Sequence, residues 1–233
     1  MFAFAIWDVS SRELFMARDR IGIKPLFYYL KGERLVFSSE MKAILAHQNI
    51  DKTIVPERIS FVHDMSCLPG HLTMFKHIYQ LEAGSWMKFK DGKTEIKKYW
   101  QPSDFENIED KEEIKSQIRN ILEDSVKKRL ISDVPLGVFL SGGIDSSLMT
   151  ALAKKHSSGR VKTFSVGFDV DSGLGSKYNA DFDLARRTAK YFDTEHVEVF
   201  LKKGDALEYV KELAENIEMP SGMTTAVPSW HLS

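Results

Sequence analysis

The stretch Val134-Pro-Leu-Gly-Val-Phe-Leu-Ser-Gly-Gly-Ile-Asp-Ser-Ser147 leaves the chain the fewest choices of fold. An apolar, β-branched run from Val134 to Leu140 stops abruptly at Ser141-Gly142-Gly143, and a helix-like run from Ser146 to Lys155 begins at once. A strand, a tight glycine turn and a helix N-terminus in succession aim several backbone N–H groups at one point, where an anion can sit. Gly142 and Gly143 remove the Cβ atoms that would hold phosphate oxygens off the backbone. Ser141, Ser146 and Ser147 add hydroxyl donors, and Asp145 is placed to hold a divalent cation beside the phosphates. An incidental Gly-Gly turn would not carry polar side chains at so many of the remaining loop positions. No Gly-Lys-Ser/Thr follows the glycines, so the loop is not a Walker A motif.

Around this loop the pattern alternates. Ile114, Ile118, Ile121, Leu122, Val126 and Leu130 fall on one helical face, with Lys127-Lys-Arg129 as a solvated basic end. Then come strand 134–140, helix 146–156, strand 161–168, helix 183–192, strand 195–199 and helix 205–217. Such βαβαβα order predicts a doubly wound parallel sheet with ligands at the carboxyl ends of its strands, where the serine-glycine loop lies. The glycine- and serine-bearing Asp169–Lys177 reads as a mobile loop.

The first hundred residues read differently. Phe2–Asp8 and Glu13–Ala17 form one hairpin by pattern, Leu26–Leu30 and Arg34–Phe37 a second, and Ser85–Lys90 with Thr94–Tyr99 a third about Asp91-Gly92. Ser38 or Ser39 caps a short helix reaching His47. Residues 51–78 show little pattern. A polar stretch from Gln101 to Asp110 separates the two halves, which gives domains 1–105 and 106–233.

The 233 residues, 43% hydrophobic and 28% charged, suit a soluble protein with a real core. A formal net charge of −1 argues against a nucleic-acid partner. The single Cys67 excludes an internal disulfide and suits a reducing compartment. Met1–Trp7 is apolar but lacks the basic n-region of a signal peptide, and no run reaches the ~20 apolar residues of a membrane span. The expectation is a cytoplasmic protein without a membrane partner.

The loop Ser141–Ser147 resembles the PP-loop of ATP pyrophosphatases, which split ATP into AMP and pyrophosphate. Three N-terminal segments narrow the resemblance: Met1-Phe-Ala-Phe-Ala-Ile-Trp-Asp8, Leu14-Phe-Met-Ala-Arg-Asp-Arg-Ile-Gly-Ile-Lys-Pro-Leu-Phe-Tyr28 and Phe37-Ser-Ser-Glu-Met-Lys-Ala-Ile-Leu45. They are similar to the second half of the glutaminase domain of glutamine-hydrolysing asparagine synthetases. Tyr99-Trp100, Arg129 with Ser132-Asp-Val-Pro135, Lys162-Thr-Phe-Ser-Val-Gly167 and Thr194-Glu-His196 continue it in order, over nearly the whole chain.

The resemblance implies an α/β protein: a partial N-terminal-nucleophile-type α+β glutaminase sandwich, then a truncated doubly wound PP-loop domain of the adenine nucleotide α-hydrolase type. It implies a carbon–nitrogen ligase using ATP and Mg²⁺, with aspartate or another carboxylate as acceptor and glutamine as amide donor. ATP contacts are expected from Leu140, Ser141, Gly142, Gly143, Asp145, Ser146, Ser147 and Val166. Leu140 and Val166 match positions where the backbone meets adenine, and Asp145 would reach Mg²⁺ through ATP. Glu218, in Ile217-Glu-Met-Pro220, lies near an acidic segment that deprotonates the incoming amine, which makes it the candidate general base. Met219 and Met223 replace acidic residues common in relatives, and Asn179-Ala180 departs from an Asp-Glu pair, so the acceptor stays open. A β-lactam-forming or sugar-modifying amidotransferase relative, or an inactive truncated pseudo-enzyme, are the alternatives; a homodimer is allowed for the intact enzyme. The family opens on a catalytic cysteine, and by the resemblance its glutamine-binding residues lie upstream of Met1, so the chain is expected to be a middle piece, without glutaminase activity and with an exposed core face.

Other candidates carry plainer readings. His63, Cys67, His71 and His77 resemble a zinc set only in composition, since their spacing fits no standard pattern. A lone Cys67 is more often inert than nucleophilic. Arg18, Arg20 and Lys24 could meet an anion, but loop and domain-contact ion pairs are the expectation. Phe2, Phe4, Trp7, Phe27 and Tyr28 read as core strand residues.

Overall fold

In the computed structural model, which describes residues 1–102, 108–169, 179–202, 204, 206–222 and 225–232, the chain divides into two units. The first comprises Met1–Asp104 with Asn216–Thr224, the second Phe105–Glu215 with Thr225–Ser233. Both parallel and antiparallel sheets are present, so the fold is mixed α/β. Most of the 169–177 loop, part of the polar stretch between the halves, and Met223 lie outside the described residues.

The first unit is organised by two antiparallel sheets. One has the order β1 (Ala3–Asp8), β2 (Glu13–Arg18), β6 (Ser85–Lys90), β7 (Lys93–Lys98); the other runs β4 (Arg34–Ser38), β3 (Phe27–Lys31), β5 (Ile78–Gln80). Successive side chains of a strand face opposite ways, and β3 uses both faces. Tyr28 joins Leu14, Met16, Leu26, Leu81 and Met87 between the sheets. Phe27 and Tyr29 join Met41, Ile44, Ile50 and Ile78 under α1 (Met41–Ala46). The Asp91-Gly92 turn has φ of 49° and 73°, the double left-handed geometry that a tight hairpin favours.

Three local expectations are corrected. Neither Ser38 nor Ser39 caps α1: Glu40 is its N-cap residue, without a side-chain cap bond of its own. The weakly patterned 51–78 contains a 3₁₀ turn (Pro56–Arg58), α2 (Ile59–Met65) and the start of β5. Phe27 and Tyr28 are buried, but Phe2, Phe4 and Trp7 are 40%, 39% and 54% exposed. Phe2, Phe4, Phe15 and Trp86 stack in sequence along the sheet, with Lys97 near the Trp86 ring.

The second unit begins with α3 (Lys111–Arg129), capped by Asp110, whose carboxylate accepts from the Glu112 amide. Its described sheet is parallel, in the order β10 (Glu195–Lys202), β9 (Lys162–Asp169), β8 (Gly137–Phe139). Helices α4 (Ile144–His156) and α5 (Ala180–Phe192) connect the strands, followed by α6 (Ala206–Asn216) and a short α7 (Ala226–His231) that the pattern did not announce. β8 is shorter than the apolar run 134–140 suggests, and α4 starts two residues earlier than expected. Pro135 lacks a ladder donor, and the turn at Ser141 peels the chain away. No described helix is long and apolar enough to cross a membrane.

Candidate functional site

The serine-glycine loop lies at the carboxyl end of β8, where the last rung is the Leu140 amide donating to the Phe164 carbonyl at 2.8 Å. Gly142 then adopts φ +75°. A Cβ there would stand 2.6 Å from the Ala185 amide nitrogen on α5, so this glycine is required by packing as well as by its backbone angle. Gly143 is different: extended, at the N-cap of α4, its Cβ would meet only Ser141 Oγ at 3.4 Å. The two glycines therefore have separate reasons.

Ser141 and Ser146 draw the loop together. Their hydroxyls are 3.0 Å apart, the Ser146 hydroxyl donates to the Gly143 carbonyl, and the Ser141 amide donates to Ser146 Oγ. No side chain caps α4. Its first-turn amides, which a helix cannot satisfy internally, and the positive end of its dipole face the loop. Asp145 is exposed in that first turn, and Ser147 follows it half-buried.

Beside the loop is a cavity of about 350 Å³ lined by Leu140, Ser141, Val166, Phe168 and Phe182, among others. The structure thus brings Leu140, Ser141 and Val166 onto one cavity, with Gly142, Gly143, Asp145, Ser146 and Ser147 in the adjoining turn. Glu218 is placed elsewhere, in the first unit. Its Oε2 accepts from the Met41 amide at 2.5 Å and the Lys42 amide at 3.2 Å, completing the N-terminus of α1, and its Oε1 is buried without a partner among the described residues.

Sequence reading missed a polar network on the other side of β9. Thr163 Oγ1 is 2.7 Å from Thr194 Oγ1 and 2.8 Å from His196 Nδ1, and Ser165 Oγ is 3.1 Å from His196 Nε2. Burial pushes the His196 imidazole down from its ordinary value, more than Glu198 draws it up. The signal was present as Thr and Ser alternating along a buried strand, but alternation alone does not name a partner.

The remaining candidates resolve into structural roles. Arg18 is buried and donates to the carbonyls of Lys24, Leu81 and Gly22. Burial would raise the neighbouring Asp19 carboxyl, but amide donors from Lys24, Ile23, Phe2 and Ile21 together hold it at about 2. His63, His71 and His77 pair with Asp64, Glu82 and Asp51, Cys67 is exposed, and no group of three metal-type ligands occurs among the described residues.

A family model described as asparagine synthase matches residues 117–233, and one described as glutamine amidotransferase domain matches residues 1–100. The chain belongs to the asparagine synthase family. A Methanocaldococcus jannaschii protein provisionally named asparagine synthetase (glutamine-hydrolyzing) 2 is 33% identical over 100% of this chain and 45% of its own length. Asparagine synthetase (glutamine-hydrolyzing) 3 of Bacillus subtilis is 31% identical over 94% of this chain and 37% of its own. Asparagine synthetase B of Escherichia coli is 31% identical over 94% and 36%. The chain therefore spans less than half the length of these relatives. An NH3-dependent NAD synthetase structure from Campylobacter jejuni aligns over 50% of this chain and 46% of its own, at 19% identity and TM-score 0.32, too slight a likeness to carry weight.

Proposed function

We propose that this asparagine synthase family chain contributes the nucleotide-binding part of a glutamine-dependent amide-forming enzyme. The observation that carries the reading is the meeting of Leu140, Ser141 and Val166 on one cavity beside the uncapped N-terminus of α4. Adenine would occupy the cavity, and the phosphates would lie along Ser141–Ser147. A substrate carboxylate oxygen, from aspartate in the first instance, attacks the α-phosphorus; the bond from that phosphorus to the β-bridging oxygen breaks and pyrophosphate leaves. Ammonia derived from glutamine then attacks the acyl carbon, and AMP departs. Amides of the α4 first turn and the serine hydroxyls stabilise the charge that gathers on the leaving pyrophosphate.

The residues fit Mg²⁺ as a partner of ATP: one exposed carboxylate, Asp145, beside the anion site is the donor set expected when phosphates supply the remaining ligands. When bound, the ion would neutralise phosphate charge. The doubly wound layout, the 1–105 and 106–233 division, and the homodimer belong to the same proposal. Glu218, whose carboxylate serves two α1 amides, we assign to anchoring residues 216–222 rather than to proton transfer.

Titration calorimetry of the chain with ATP and Mg²⁺ tests the nucleotide reading: binding that S146A weakens and GTP does not reproduce supports it, and absence of binding refutes it. Aspartate-dependent ATP–pyrophosphate exchange tests the acceptor. Exchange with a different carboxylate would favour a relative with another acceptor, such as a β-lactam-forming amidotransferase, which the departure of Asn179-Ala180 from the Asp-Glu pair supports.

A further inference from the structure

Asn179 precedes α5 and is its N-cap residue, yet its side chain does not cap the helix. The amide turns the other way. Its Oδ1 accepts from the Phe168 amide and its Nδ2 donates to the Phe168 carbonyl, both at 2.9 Å. One side chain thus satisfies both backbone groups of one residue, as a neighbouring strand would.

The edge on which this happens is the one β8 abandons. β8 pairs with Lys162, Thr163 and Phe164 and ends there, with the Leu140 amide on the Phe164 carbonyl as the last rung. Backbone groups along a parallel strand point to alternate edges, residue by residue. Phe164 and Phe168 both face the β8 edge, so Val166 faces it too, between them, with no described strand opposite. The Asn179 amide closes the edge on one side of Val166 and Leu140 closes it on the other. What remains is a window one residue wide, opening on the cavity that Leu140, Val166 and Phe168 line.

We infer that Asn179 is a positioning residue for nucleotide binding: its amide holds Phe168 so that the Val166 N–H and C=O stay presented to a purine edge. This rests on the ATP reading of the cavity. The pairing seen in this chain uses both ends of an amide, and the Asp-Glu pair common in relatives at this position would have to hold the edge differently. An aspartate at 179 could accept from the Phe168 N–H, but its carboxylate would face the Phe168 carbonyl, acceptor against acceptor, where an amide donates. Once protonated, the carboxyl again offers one donor and one acceptor and restores the pattern.

The test uses the full chain, its N179A and N179D variants, ATP with Mg²⁺ in a calorimeter, and amide hydrogen exchange at Phe168. N179A should bind ATP about fivefold to tenfold more weakly at all pH values, the weight of one or two net hydrogen bonds. N179D should match N179A at about pH 8 and recover toward wild type as the pH falls to about 4, where an aspartate carboxyl takes up a proton. Wild-type binding should not show that recovery. Phe168 protection should follow the same order. ATP binding by N179D equal to wild type at the higher pH, or equally weak binding by both variants with no pH dependence, would overturn the inference. Should the wild-type chain bind no ATP, the cavity reading fails, and with it the binding role of Asn179. Phe168 protection that is lost in N179A would then show that the clamp itself is real, and unchanged protection would remove that too.

Discussion

Replacing Gly142 with alanine separates two reasons for a glycine in the serine-glycine loop. If glycine serves only to let phosphate approach, G142A should fold normally and lose nucleotide binding alone. The structure demands more. Gly142 sits at φ +75°, where a Cβ costs about 1–2 kcal/mol. The added methyl would also press on the Leu184–Ala185 backbone of α5, 2.6 Å from the Ala185 nitrogen. Overpacking of this kind costs about 1–3 kcal/mol. Backbone atoms of a packed helix cannot swing aside as a side-chain tip can, so the two costs combine to about 2–5 kcal/mol. For a domain stable by roughly 5–15 kcal/mol, that is a large fraction.

Urea unfolding followed by far-UV circular dichroism reads this directly, because α3, α4, α5 and α6 of the second unit dominate the helical signal. With a denaturant slope of about 1–3 kcal/mol per molar, the midpoint for that unit should fall by about 1 M or more. G143A is the control. Its φ of −67° suits any residue and its methyl would meet only Ser141 Oγ, so its stability should fall by no more than about 1 kcal/mol, the cost of alanine at an N-cap. Its loss, where the reading of the site holds, should fall on ATP affinity. A G142A midpoint equal to wild type would refute the packing argument.

Three further outcomes follow from the same geometry. D19A strands the amides of Phe2, Ile23 and Lys24 and should destabilise the first unit by about 1–3 kcal/mol in urea unfolding. Because the folded Asp19 carboxyl titrates at about 2, below its ordinary 3.8, the stability it supplies is full above 3.8 and disappears as the pH falls toward 2, so wild type and D19N should converge there. His196 behaves in the opposite register: its folded value lies below 6.5, so protonation opposes the fold, stability of the second unit should decline as the pH falls through 6.5, and H196Q should flatten that part of the profile. E218A should expose the Met41 and Lys42 amides to faster hydrogen exchange and cost about 1 kcal/mol, whereas E218Q, which keeps an acceptor, should cost less.

The legible parts of this chain are those whose causes are local. Asp91-Gly92 announces its hairpin because two adjacent left-handed residues are needed and both are suited to them. Ser141-Gly142-Gly143 announces a strand-to-helix turn for the same kind of reason. The helix Met41–Ala46 was legible as a helix but not in its cap, because the capping carboxylate, Glu218, is 177 residues away. The pattern places α5 at 183–192, but the helix begins at Ala180 with Asn179 as its N-cap residue, whose side chain chooses a strand edge whose vacancy depends on where β8 stops. Phe2, Phe4 and Trp7 have the composition of a buried strand, yet β1 ends its sheet and all three residues are more than a third exposed.

The length of β8 ties these observations together. An apolar run from Val134 to Leu140 could have supplied a seven-residue strand beside β9, and such a strand would have covered more of that edge. Pro135 withholds a donor at the start, Gly137 lies against the Phe164 ring, and the left-handed Gly142 turns the chain onto α4 just after Leu140. The turn that aims the α4 first-turn amides at the loop is therefore the same turn that leaves the Val166 edge without a described strand opposite. A variant that extended β8 past Leu140 would gain ladder bonds and should lose both halves of the proposed nucleotide site together. The loop and the window are one consequence of where a single strand ends.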